Sequence, residues 1–426
     1  MYSEQSSGTS KRSMNSGTCY IISLTTLLGI LFSFGCNKSD GNNTTGNLKI
    51  GILLPLTGNA ASAGESAQAA ANMAIQDVNK YLTSIGSDLS AEGVIKDTGT
   101  DPGTALQALQ ELDDAGVRFV VGPYSSTNAA AILDYANQHG IILLSPASVA
   151  SSLAVADDNL FRLVPSDGNQ AAAVAALFEH DSIQTVIPIV RDDVWGDGLI
   201  DDVTSLLTQQ GKTVMSPIRY DPDAVNAPML ATQAAASINT AIQQIPASQV
   251  AAYLLSFGEG TDILSDAAQV PDCAQVRWYG SSAYANNASL LTDNSAPDFA
   301  MQQQFRCPVF APDPAAADLW NPIAQQLSTQ LGRSPEVYAY TTYDAVWLMS
   351  MVYRDCPNPS DPQTFKASFE QVALNYYGIT GRTALDAAGD RKYASFEFWG
   401  ITPDGMDYTW KAFGHFDNAT GQLVIY

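Results

Sequence analysis

Residues Val120 to Leu153, VVGPYSSTNAAAILDYANQHGIILLSPASVASSL, decide the reading of the chain. The apolar run from Arg118 breaks at Gly122-Pro123 and passes through the hydroxyl-rich loop Tyr124-Ser125-Ser126-Thr127. Apolar residues at helical spacing follow (Ala131, Ile132, Tyr135, Ala136), and then a second apolar run, Ile141 to Leu144, ends at Ser145-Pro146. Strand, loop, helix, strand, loop is the βαβ unit of a parallel sheet. Open α/β sheets bind ligands at the carboxyl ends of their strands, and both such loops here are rich in hydroxyls.

The same alternation extends in both directions. Upstream, Leu48 to Leu54 reads as a buried strand followed by the small-residue loop Thr57 to Gly64, a helix from Glu65, a strand from Leu89 to Lys96 and a helix begun by Asp101-Pro-Gly. Downstream, Ser166 to Gln170 caps a new helix, and a second α/β run starts: strand Thr185 to Val190, the loop Arg191 to Gly198, a helix to Gln209, a strand Thr213 to Tyr220. Helix Ala231 to Ile245 and strands at Val250 to Ser256, Val276 to Gly280 and Phe305 to Phe310 complete it. Helices are predicted at Ala315 to Gln330 and Tyr343 to Arg354, and the tail from Ala394 alternates like strands joined by tight turns. Two α/β units of similar plan lie in tandem, as 426 residues would require.

Net charge −23 and the lack of any basic run after Arg12 exclude nucleic acid as a partner. No Cys/His pair, G-x-S-x-G elbow, Walker loop or metal-ligand cluster points to an enzyme, a cofactor or a metal site. Asp386-Ala-Ala-Gly-Asp390 lacks the spacing and closing Glu of a calcium loop and reads as a structural turn. At the N-terminus, Lys11 and Arg12 precede an apolar stretch from Cys19 to Gly35, then Cys36 and a polar tether from Asn37 to Asn47. Residues 1–36 resemble a bacterial lipoprotein signal, with Cys36 as the lipidated residue, although Ser33 and Phe34 depart from the usual pattern. Three cysteines lie beyond the tether. Export permits a disulfide, and Cys273 and Cys307, each just before or within a predicted strand, are expected to pair.

The ordered motifs ILLPLTG, VVGPYSST, ILLSPASVASSL, LFRLVPSDGNQ, IVRDDVWGDGL, TTYDAVWLM and GITGRTALDAAGDR resemble the type I periplasmic binding proteins, and most of all their leucine/isoleucine/valine-binding family. The resemblance covers nearly everything after the tether. It implies two Rossmann-like lobes joined by a three-segment hinge, with crossovers near Pro165, Pro312 and Phe396. Lobe 1 would take residues 48–165 and 312–394, and lobe 2 residues 166–311 and 395–426. It implies a monomeric extracytoplasmic receptor that closes on a small molecule, held at the membrane by its lipid and serving the permease of an ABC importer. A sensory or regulatory lipoprotein of the same fold is the alternative.

Carried over by motif, Ser126 stands at the family's ligand-carboxylate serine with Ser125 and Tyr124 beside it, and the backbone of Ala147 and Ser148 would donate to the same carboxylate. Val149 replaces a threonine. In the other lobe, the family's ammonium partners appear as Ser282 and as Ser256 or Phe257, with Glu259 as a substitute carboxylate. Trp195 and Tyr343 match aromatic walls, and Ala63 replaces an aromatic, which implies room for a larger ligand.

Overall fold

A computed structural model describes residues 46–426, except Asn294 and Ala394. The signal segment, Cys36 and the tether up to residue 45 lie outside the described residues.

The first half runs β1 (Gly46–Leu54), α1 (Ala61–Ser84), β2 (Leu89–Asp97), α2 (Pro102–Asp114), β3 (Phe119–Val121), α3 (Ser126–His139), β4 (Ile142–Ser145) and β5 (Leu160–Arg162). These five strands form one parallel sheet in the order β2-β1-β3-β4-β5. Gly46 and Asn47, placed in the tether by their composition, open β1 and pair with Leu89 and Ser90. Strand β3 is Phe-Val-Val and β4 is Ile-Leu-Leu-Ser, all buried, because helices cover both faces of the sheet. Gly122 closes β3 at φ +116°, and a Cβ there would lie 2.4 Å from the Leu53 carbonyl oxygen. Only glycine lets the chain leave the sheet so close to β1.

The chain then crosses over and repeats the plan. Helix α4 (Asp167–His180) leads to β6 (Thr185–Arg191), α5 (Val194–Gln209), β7 (Thr213–Val214), β8 (Ile218–Tyr220), α6 (Ala227–Ile242), β9 (Val250–Leu255), α7 (Gly260–Ala267) and β10 (Arg277–Gly280). This second sheet is also parallel, in the order β10-β9-β6-β7, with β8 on the same edge of β6. Thr213 to Tyr220, read as one strand in the sequence, is thus two short strands, interrupted at Met215-Ser216-Pro217. Proline has no N–H for the ladder, so the strand breaks there. Short helices α8 (Ala288–Thr292) and α9 (Ala296–Gln302) precede β11 (Cys307–Phe310).

A second crossover returns the chain to the first sheet as α10 (Ala317–Leu331), α11 (Tyr338–Asp355), α12 (Pro362–Asn375) and the small hairpin β12 (Tyr377–Gly378) and β13 (Gly381–Arg382). The third crossover leads into β14 (Ser395–Asp404), β15 (Asp407–Asp417) and β16 (Gln422–Ile425). With β11 they form an antiparallel sheet, β11-β14-β15-β16. The architecture is α/β with two lobes and three crossing segments.

The expected disulfide is absent: Cys273, Cys307 and Cys356 are all free and buried. The Cys273 thiol faces α6, where it donates to the Ala231 carbonyl oxygen at 3.4 Å, whereas Cys307 lies on β11 against Gly280 of β10. The two thiols belong to different packing layers. Burial pushes the Cys273 thiol up to about 12 and that of Cys307 well above its ordinary value, so neither forms the thiolate that exchange needs.

The 386–390 turn has a structural role. Asp386 accepts from the amides of Ala388 and Asp390, and Asp390 forms a bidentate pair with the fully buried Arg162 of β5. Arg162 also donates to the carbonyls of Ser148 and Ala150, so the pair fastens the last lobe 1 loop to the strand beside the first crossover. Asp390→Ala would leave that guanidinium buried without its counter-charge, and is expected to cost about 3–5 kcal/mol. Urea unfolding measures it; a loss below about 1 kcal/mol would contradict this role.

Candidate ligand-binding site

The carboxyl ends of the two parallel sheets face each other, and a cavity of about 50 Å³ lies between them. Each wall is built by a loop that leaves a strand. After β3, Ser125 caps α3, accepting from the Asn128 amide at 3.2 Å, and this aims the helix N-terminus at the cavity. An N-terminus carries unpaired N–H groups and a partial positive charge. Ser126 Oγ accepts from the amides of Val149 and Ala150, both at 3.1 Å, and so braces the loop after β3 against the loop after β4. Ser145 braces the same loop from within, accepting from the Ser148 amide and hydroxyl and donating to the Pro123 carbonyl.

Among the described residues three hydroxyl protons remain unused at this wall. Ser125 accepts once and Ser126 twice, but neither O–H has an acceptor. The Tyr124 hydroxyl is buried without any partner. Burial, reinforced by repulsion from Glu336, raises the Tyr124 pKa well above 10 and keeps the group a donor.

The apolar body of the cavity comes from Ala63, Val149, Trp195, Phe257, Val309 and Tyr338. Trp195 enters from the first turn of α5, which Asp193 caps by accepting from the Trp195 and Gly196 amides. Its ring lies 5.1 Å from that of Phe257, and Phe257 in turn carries the Arg191 guanidinium at 4.0 Å. Among the described residues no Lys or Arg lines the cavity, and the one carboxylate that does, Glu336, accepts from Ser62, Ser66 and Arg333. The lobes touch beside it: the Gly258 amide donates to the Asn59 carbonyl at 3.0 Å, and the Asn59 side chain donates to the Pro222 carbonyl at 3.2 Å. The conformation is closed.

The cavity brings together Tyr124, Ser125, Ser126, Ala147, Val149, Trp195, Phe257 and Ser282 of the residues singled out in the sequence. Three others lie elsewhere. Ser148 turns inward, with its amide and hydroxyl both on Ser145. Glu259 accepts from Arg191, from the Tyr220 hydroxyl and from the Phe257 amide, so one oxygen is already spent on the loop. Tyr343 faces α1, where its hydroxyl donates to Asp77 at 3.0 Å. The reason is helical register: α11 begins at Tyr338 rather than at Tyr343, and five residues at about 100° each turn Tyr343 away from the face that Tyr338 presents to the cavity. Ala63 lines the cavity together with Tyr124, Trp195 and Tyr338.

Asn59, Glu336 and Tyr338 were not singled out by the sequence; the one signal was the aromatic pair in Val337-Tyr-Ala-Tyr340. Asp167, the first residue of α4, was also missed. Fully buried, it accepts from Gln170 through Oδ1 at 3.0 Å, while Oδ2 has no partner. Burial raises its pKa from 3.8 to about 8; Arg162, Gln170 and the Trp195 indole oppose the rise, and Asp202 adds to it.

Two outcomes follow. Ser126→Ala removes the acceptor of two buried amides and is expected to cost about 1–3 kcal/mol in urea unfolding. For Asp167, the folded state holds a proton that the unfolded state has lost, so this residue's contribution to stability is full below pH 3.8 and is lost as pH rises to about 8. Asp167→Asn is expected to flatten the pH dependence of stability across that window and to be the more stable form at pH 8; an unchanged slope would contradict the assignment.

The geometry agrees with the comparisons. The family described as receptor family ligand binding region matches residues 66–404. An uncharacterised protein of Methanocaldococcus jannaschii is 25% identical over 93% of this chain and 97% of its own length. The leucine-, isoleucine-, valine-, threonine- and alanine-binding protein of Pseudomonas aeruginosa is 28% identical over 38% of this chain and 44% of its own length. Among solved structures, a leucine-binding protein of Thermotoga maritima superposes with a TM-score of 0.68 at 17% identity, over 86% of this chain and 98% of that one. An R. palustris ABC transporter solute-binding protein in complex with benzoate gives 0.69 at 17% identity, over 86% and 96%.

Proposed function

The chain belongs to the receptor family ligand binding region family and is a type I periplasmic binding protein akin to the leucine/isoleucine/valine-binding proteins, and from that premise we propose that it captures a small organic carboxylate for an ABC importer. One observation carries the ligand class. Among the described residues the lobe 1 wall offers a helix N-terminus and three hydroxyls with unused protons, Tyr124, Ser125 and Ser126, and no basic side chain. Hydroxyl donors at the positive end of a helix hold a carboxylate without a formal counter-charge. The opposite wall is aromatic and suits a compact apolar body.

This wall gives an ammonium no ready partner. Glu336 already has its counter-charge in Arg333, Glu259 is turned to Arg191, and Asp167 holds its own proton at neutral pH. Burying an unpaired ammonium costs several kcal/mol. A deaminated or aromatic acid therefore fits better than a free amino acid. Lobe closure over the ligand, through Asn59, Gly258 and Pro222, is the event a membrane partner would read. Lipid attachment at Cys36 would hold the receptor beside its permease, outside the cytoplasm.

Calorimetric titration of the ligand-stripped chain against leucine, phenylalanine, their deaminated acids and benzoate tests this reading. Tight binding is expected for the acids over the amino acids, and Ser126→Ala is expected to weaken it about tenfold or more, as for a lost hydrogen bond to a charged group. Preference for the free amino acids would overturn the ligand class. Equal affinity of wild type and Ser126→Ala would overturn the role of Ser126.

A further inference from the structure

A second cavity, of about 370 Å³, lies where the three crossing segments run side by side. Its walls come from both lobes: Asn169, Phe310, Ala311 and Asn418 on one side, Asp313, Thr380 and Arg391 on the other. Arg391 is its anchor. This guanidinium is 4% exposed, donates to the Leu163 carbonyl at 3.2 Å and to the Thr380 hydroxyl and carbonyl at 2.7 Å each, and is covered on one face by the Phe310 ring at 4.8 Å. Among the described residues it has no ion-pair partner, and its Nε–H has no acceptor. Burial lowers its pKa to about 10, against the opposing charges of Asp344 and Asp313.

Two more cations line the same cavity, Arg382 and Lys392, both exposed and neither in an ion pair among the described residues. A chain with 20 Lys and Arg against 43 Asp and Glu has placed three unpaired cations around one cavity. The two carboxylates that share it are turned to other work. Asp313 accepts from the Ala315 amide and the Tyr377 hydroxyl, and Asp417 from the Ala419 and Thr420 amides. We propose that this hinge cavity is a second ligand site, specific for a small oxyanion, held by Arg391 from within and by Arg382 and Lys392 at the rim. An occupant would touch both lobes, so its binding would be linked to opening and closing of the cleft. The inference stands independently of the ligand proposed for the cleft.

The test is calorimetric titration of the full chain with inorganic phosphate and, separately, with acetate, at low ionic strength, for wild type and for R382A/K392A. Both substituted residues are exposed, so the variant is expected to keep the wild-type melting temperature in anion-free buffer. Saturable binding in wild type, weakened at least tenfold in the variant, is the expected result. Preference for phosphate would assign the site to a tetrahedral anion, and preference for acetate to an organic carboxylate. Absence, for both ions, of any saturable binding that R382A/K392A weakens would overturn the proposal.

Discussion

Everything at the cleft depends on how two serines spend their hydrogen bonds. Ser126 Oγ takes the amides of Val149 and Ala150, and Ser145 Oγ takes the amide and hydroxyl of Ser148. These bonds satisfy a loop that is buried and would otherwise carry unpaired amides. They also fix the orientation of the Ser126 hydroxyl, whose proton is left for a ligand. The same atoms thus close the loop's internal accounts and present the donor that defines the site. Behind them, the Arg162–Asp390 pair holds the far end of the loop to the strand beside the crossover.

Much of this was legible in the sequence because it follows from strand and loop patterning. The buried apolar runs of β3 and β4, each broken by a hydroxyl loop, place Tyr124, Ser125, Ser126, Ala147 and Val149 at the carboxyl edge of a parallel sheet, and the structure puts them around one cavity. Trp195 and Phe257, implied by the family resemblance, lie on loops that leave strands of the second sheet. What the pattern lacks is rotation and partnership. Tyr343 reads as an aromatic wall in sequence, and only the start of α11 decides that Tyr338 faces the cleft instead. Glu259 looks like a free carboxylate until Arg191 and Tyr220, far away in the chain, are found upon it.

The missed residues share a different cause. Asp167 sits in a capping position, where an acidic residue is ordinary, and its burial arises only when the Trp195 and Arg162 elements pack over it. The cysteines failed for a related reason. Cys273 lies in the turn before β10 and Cys307 on β11, and a place beside a predicted strand says nothing of what each thiol packs against. Local patterning reports the face of an element, whereas charge pairing and thiol geometry are set by tertiary contact.

A co-crystal structure of the chain with the tightest-binding small carboxylate tests the central claim most directly. The account predicts a carboxylate oxygen within about 3 Å of Ser126 Oγ, a second contact to the Tyr124 hydroxyl, and the ligand body between Trp195 and Tyr338. A ligand in the same cleft with its carboxylate turned away from Ser126, or lodged outside the cleft altogether, would contradict it.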